Sequence, residues 1–211
     1  MRPTVQPSSR LRLARALAST TSAVAIVLVA ALAGCGGSDA EIPPKLSQAA
    51  VETALATTPP ALRPADRAVE KQANVLLPGD GDAAQKELGR LLATLKGRPV
   101  VVNLWGEWCA PCKKELPVFQ RVALAQRGKT VFLGVATRTS RTKTEQYLAS
   151  QFFLPYPSIL DPDEQINKSV TGVSNIPKTY FYGPDGGKPF VHLGPYESVD
   201  KLTADIAKYA T

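Results

Sequence analysis

The sequence predicts an α/β domain with a central mixed β-sheet flanked by helices. Three observations lead there. Two nearly unbroken apolar runs, residues 100–105 and 130–137, are rich in β-branched side chains and read as central strands covered on both faces. A helical pattern follows each of them, which is the alternation of a layered α/β domain. Near the C-terminus, runs at 178–182 and 190–193 are joined across Pro184-Asp185-Gly186-Gly187. That turn makes them an antiparallel hairpin, so the sheet is mixed.

The folded domain is assigned to residues 68–211. Residues 82–95 place Leu88, Leu91, Leu92 and Leu95 on one helical face. Gly97-Arg98-Pro99 ends that helix. A helix over 110–126 follows the first strand, and Gly128 suits its end. The strand at 130–137 leads through Ser140 to a helix over 142–152. Residues 156–160 are short and extended, and Asp161-Pro162-Asp163 turns the chain toward a further short helix. An amphipathic helix over 199–209 closes the chain. Whether residues 68–82 join the core is left open.

The N-terminal part reads differently. Arg2, Arg10, Arg12 and Arg15 form a basic start, followed by an apolar run of 11 residues at 23–33 (AVAIVLVAALA). A charged start, a short apolar core and small residues before a cleavage point define a secretory signal over residues 1–34. The run is shorter than the ~20 residues of a membrane-spanning helix. A longer span from residue 16 to 34 is the alternative. Without residues 1–34 the formal charge of +7 falls to +3. Much of the basic balance therefore belongs to targeting, and no basic stripe with interleaved aromatics suggests nucleic acid as a partner. Residues 35–67 hold Pro43-Pro44, Pro59-Pro60 and Pro64 among many Ala and Thr. They read as a flexible membrane tether with one helix at 47–56.

Of the three cysteines, Cys109 and Cys112 sit in Trp108-Cys109-Ala110-Pro111-Cys112, directly after the first strand. A thiol at a helix N-terminus meets free N–H groups and the positive end of the dipole, which favour the reactive thiolate. Cys112 is close enough to close a small disulfide with it. The pair reads as built for disulfide exchange.

Two resemblances extend this reading. Leu32-Ala33-Gly34-Cys35 resembles the bacterial lipoprotein lipobox, which implies cleavage before Cys35 and lipidation of Cys35. The segments VVNLWGEWCAPCKKELPVF, YPSILDPD and GVSNIPKTYFYGPDG resemble, in order, the TlpA/ResA-like extracytoplasmic thiol-disulfide oxidoreductases. That resemblance implies a thioredoxin-like fold and a membrane-tethered reductase of exported proteins, often in cytochrome c maturation. Its partners would be disulfide-containing exported proteins, with a membrane electron donor for re-reduction. It requires no cofactor beyond the redox-active disulfide Cys109–Cys112, and no metal.

The resemblance assigns roles residue by residue. Cys109 is the expected nucleophile and Cys112 the resolving thiol. Pro111 suits a helix start, where a missing N–H costs nothing. The Ala-Pro pair carries no histidine, which argues for a reductant. Pro177 is the expected cis-proline facing the disulfide, and the backbone of Ile176 is expected to pair with substrate. Glu115 is expected to tune the thiols and assist proton transfer, taking over from a buried acid at the strand position that Asn103 occupies. Trp108 is expected to shield the sulfurs and contact substrate, and Trp105 to pack in the core. Lys113 and Lys114 read as solvated helix charges, and His192 as structural. Two other functions compete. One is a disulfide-forming oxidase or isomerase. The other is a copper metallochaperone, which the CxxC spacing disfavours. Peroxidase chemistry lacks its isolated cysteine after Thr-x-x.

Overall fold

The computed structural model describes residues 41–57, 59, 62–79 and 82–211. The expected signal over 1–34 and the lipidation site Cys35 lie outside the described residues. Six strands form one sheet in the order β1-β4-β3-β2-β5-β6. They are β1 Leu76–Leu77, β2 Val100–Trp105, β3 Val131–Thr137, β4 Ser158–Asp161, β5 Lys178–Tyr182 and β6 Phe190–Leu193. The β1–β4, β4–β3 and β3–β2 pairs are parallel, whereas β5 runs antiparallel to both β2 and β6. The expected helices form as α3 Asp82–Thr94, α4 Ala110–Ala125, α5 Arg141–Ser150, α6 Gln165–Thr171 and α7 Val199–Tyr209. Among the described residues no helix is long and apolar enough to cross a membrane.

Every residue of β2 is buried. Because side chains alternate across a strand, Val101 and Trp105 join the core layer that contains α4, while Val100, Val102 and Leu104 join the layer that contains α3. Asn103 shares the parity of Val101 and Trp105. The strand period thus aims one amide at α4. Gly134, on the neighbouring β3, has no room for a Cβ beside the Ser158 hydroxyl. That close approach lets the Trp105 indole N–H donate to Ser158 Oγ at 3.2 Å.

The described part of the expected tether is instead docked on the domain. Helix α1, Gln48–Ala56, starts where the sequence reading put it, capped by Ser47 Oγ accepting from the Ala50 N–H at 3.2 Å. Val51 is fully buried. The Leu46 N–H donates to Gln120 Oε1 at 2.6 Å, and Gln120 Nε2 donates to Phe153 O at 2.8 Å. Arg127, at the end of α4, donates to the Ala54, Leu55 and Thr57 carbonyls and to Glu70. The Ala-, Thr- and Pro-rich composition gave no amphipathic period by which to foresee this. The holding groups are the side chains of Gln120 on α4 and of Arg127 just past its end, most of whose partners are backbone groups. Part of the stretch left open at 68–82 joins the core. Helix α2, Pro64–Glu70, buries Val69, and Leu76 and Leu77 add the edge strand β1.

Candidate active site

The turn from β2 into α4 places the two cysteines. Cys109 is the N-cap of α4 in an extended conformation, and its Sγ accepts the Cys112 N–H at 3.2 Å. Cys109 and Cys112 form a disulfide with their Cα atoms 5.3 Å apart. Cys109 keeps 4% of its surface and Cys112 none. Pro111 lies in the first turn of α4, where no intrahelical acceptor is lost. Lys113 and Lys114 are exposed on the following positions.

Trp108 stands at the rim, 43% exposed. Its indole N–H donates to Thr137 O at 3.1 Å, at the end of β3. Gly106 permits this fold-back, since a Cβ there would lie 2.6 Å from Trp108 Nε1. The Arg138 guanidinium lies 4.2 Å from the Trp108 ring centroid. Sequence reasoning singled out Trp108 but not its cationic partner.

The Ile176–Pro177 bond is cis. Lys178 pairs with Leu104 across β5 and β2, which sets Pro177 beside the end of β2 that feeds the cysteines. Pro177 is buried, and its carbonyl accepts from the Gly194 N–H at 3.1 Å. Ile176 is half-buried and packs against the core cluster that holds both cysteines.

Glu115 is fully buried, one turn beyond Cys112 in α4. Its Oε1 accepts from Asn103 Nδ2 at 2.8 Å, so the two residues singled out on separate elements meet. Its Oε2 accepts from the Tyr196 N–H at 2.9 Å. Neither donor is charged. Burial therefore dominates and pushes the carboxyl up to about 8, against the pull of the Tyr196 and Asn103 hydrogen bonds. The Tyr156 hydroxyl is buried without a partner among the described residues, and burial with the nearby Glu115 drives its pKa upward. The Tyr196 amide carried no sequence signal, because a backbone donor has none.

Two other expectations concern packing. Trp105 is fully buried. His192 stacks on Tyr196, centroid to centroid 4.2 Å, and burial lowers its pKa. Among the described residues no group of three His, Cys, Asp or Glu is arranged to hold a metal ion.

Residues 69–187 match the model of the AhpC/TSA family. The chain belongs to the AhpC/TSA family. Curated relatives are similar over part of its length. The thiol-disulfide oxidoreductase ResA of Bacillus subtilis is 32% identical over 96 residues, 45% of this chain and 52% of that protein. The thiol:disulfide interchange protein DsbE of Pseudomonas fluorescens is 33% identical over 118 residues, 56% of this chain and 64% of that protein. The chain thus spans about half to two thirds of the length of these relatives. The exposed lipoprotein thioredoxin of Streptococcus pneumoniae aligns with a TM-score of 0.50 at 21% identity, covering 56% of this chain and 89% of that structure. At that identity the likeness speaks for the fold alone. It is the thioredoxin-like arrangement expected from the sequence.

Proposed function

We propose that this AhpC/TSA-family chain is an extracytoplasmic thiol-disulfide oxidoreductase that reduces disulfides of exported proteins, including apocytochrome c. The observation that carries the reading is the Cys109–Cys112 disulfide at the N-terminus of α4, with the Cys112 N–H on Cys109 Sγ. In the reduced protein that N–H and the helix dipole stabilise a thiolate on Cys109 by about 1 kcal/mol. The thiolate attacks a substrate disulfide. One substrate sulfur leaves as thiolate, and the other is held in a mixed disulfide. Cys112 then loses its proton and attacks Cys109 Sγ, which releases the second substrate thiolate and re-forms Cys109–Cys112. The substrate gains two electrons, which a membrane donor must return.

Glu115 is suited to take the Cys112 proton. A carboxyl pushed up to about 8 is matched to a thiol titrating near 8.5. Trp108 at the rim and the Ile176 backbone beside Pro177 are suited to contact the substrate chain. The lipobox-like segment ending in Cys35 supports tethering through a lipid anchor.

The test is the reduction potential of Cys109–Cys112 in the full-length protein held in detergent, equilibrated with glutathione and dithiothreitol buffers. A value below about −230 mV supports a reductant. A value above about −150 mV overturns it in favour of disulfide formation.

A further inference from the structure

The disulfide end of the molecule carries a charge pattern that the exchange chemistry does not require. Three exposed apolar side chains mark this end: Trp108 at 43%, Val173 at 52% and Leu193 at 57%. Leu193 pairs with Lys178, which pairs in turn with Leu104, so it stands at the same edge of the sheet as the cysteine turn.

Arg138 rises on one side of this patch. Its backbone is left-handed at φ 51, a conformation that costs a non-glycine residue roughly 1–2 kcal/mol. Several contacts fix it there. Its N–H donates to Asp161 O at 3.3 Å, its guanidinium sits over Trp108, and its Nε lies 3.4 Å from Glu164 Oε1. The side chain remains 44% exposed. A residue held by neighbours in an unfavourable backbone conformation points to a use for its side chain.

Lys113 and Lys114 follow Cys112 directly on the first turns of α4. Both are exposed, and among the described residues neither ammonium group has a hydrogen-bond or ion-pair partner. They open onto a groove between α4 and α5, floored by Ile42, Pro117 and Tyr147 and bordered also by Lys45. The facing carboxylates are few. Glu107 is half-buried near Tyr147, with Oε2 turned inward and without a hydrogen-bond partner among the described residues, and Glu164 is already paired with Arg138.

We propose that the substrate segment carries acidic side chains flanking its cysteine. Its apolar residues lie on Trp108 and the Leu193 edge. Its carboxylates meet Arg138 beside Trp108 and Lys113 and Lys114 after Cys112. This names the substrate class within the reductase reading and rests on that reading.

The experiment uses the full-length protein, reduced, in non-ionic detergent. Two cysteine peptides of equal length carry the same apolar residues, flanked by Asp and Glu in one and by Lys in the other. Each is presented as a mixed disulfide with a coloured aromatic thiol. Cys109 thiolate attacks the peptide sulfur, and the aromatic thiolate leaves and is read by absorbance. Each rate is divided by the same protein's rate on uncharged hydroxyethyl disulfide, which cancels changes in thiolate content. The acidic peptide is expected to react at least ~10-fold faster at low salt, with the preference falling toward ~2-fold near 0.5 M salt. Lys113→Glu with Lys114→Glu is expected to cut the low-salt preference at least ~5-fold, and Arg138→Gln at least ~3-fold. Equal rates for the two peptides, a preference for the basic one, or an unchanged preference in the variants overturns the proposal while the reductase reading stands. Failure to reduce hydroxyethyl disulfide overturns both.

Discussion

Two buried carboxylates, Glu115 in α4 and Asp66 in α2, sit in opposite electrical surroundings. Asp66 is 2% exposed and Glu115 is not exposed at all. Asp66 bonds the Arg63 guanidinium at 3.0 Å and Arg98 Nε at 2.9 Å. Burial raises its pKa, but the Arg63 hydrogen bonds and the charges of Arg63 and Arg98 more than offset that and hold it below the ordinary value. Glu115 receives two neutral donors and no cation, and burial wins. Asp66 is thereby fixed as a charge that ties α2 to the Gly97–Pro99 turn. Glu115 is left able to change its charge near neutral pH, beside the cysteines. The difference between an acid that stays charged and one that can titrate near neutral pH lies in the counter-charge, not in the depth of burial.

Replacing Glu115 with Gln breaks the comparison hardest. Its folded pKa stands above the ordinary 4.5, at about 8, so the native state holds the proton more tightly than the unfolded chain between those values. Stability therefore falls as pH rises through that window, by up to about 1.4 kcal/mol per unit, and levels off above it. Glu115→Gln removes the slope. Urea unfolding of the oxidised protein should find the variant more stable at pH 9 by on the order of 3 kcal/mol and within about 1 kcal/mol at pH 4. The same variant should lose the limb near pH 8 from the pH–rate profile of disulfide reduction. A variant less stable than wild type at both pH values would mean that the carboxyl is held charged.

Lys178 supplies a buried cation for the same contrast. It is fully buried, and its Nζ donates to Asn167 Oδ1 at 2.7 Å, Thr171 Oγ1 at 2.7 Å and Val173 O at 2.6 Å. All three of its donors are used, and it pins the loop before Pro177. Lys178→Met should cost about 3 kcal/mol, because it strands those acceptors. A loss under 1 kcal/mol by denaturant titration would count against that role.

Asp66→Asn should cost about 2 kcal/mol at pH 7. Since the folded pKa of Asp66 is depressed, its contribution is present above the ordinary value and disappears as pH falls through the folded one. The variant and wild type should therefore converge in acid, as they do for Glu115→Gln, but above it the signs differ: Asp66→Asn is the less stable protein and Glu115→Gln the more stable one. The smallest effect belongs to the rim. Trp108→Phe removes one N–H donated to Thr137 O and should lower stability by under 1 kcal/mol, read as a small shift in Tm.

Only the Glu115 side of this contrast was legible in the sequence, since Asp66 lay in the segment read as a tether, and the reasons are physical. The apolar run at 100–105 and the following CxxC fixed β2, α4 and the disulfide, because each has a local signature. Asn103 and Glu115 were linked through the resemblance, Glu115 taking over from an acid at the Asn103 position. Strand parity and the helical turn then bring them together. Tyr196 was invisible because it contributes a backbone amide. Lys178 was invisible because a lysine in Ile-Pro-Lys-Thr reads as solvated until α6 is seen to end against it. Strand β1 is two residues long, too short to have a period. The docking of residues 41–57 depends on Gln120 and Arg127, whose targets are carbonyls without identity.

Strand β1 has a kinetic consequence. Its partner β4 lies some eighty residues further along the chain, Leu76 opposite Ser158. Closing so long a loop is entropically slow, and two residues of pairing return little for it. The layer made of α1, α2 and β1 should therefore assemble last and open first. In hydrogen exchange its amides should report a local opening well below the global unfolding free energy, while β2 and β3 stay protected. The cysteine-bearing half of the sheet can thus remain closed during excursions of the chain's leading layer.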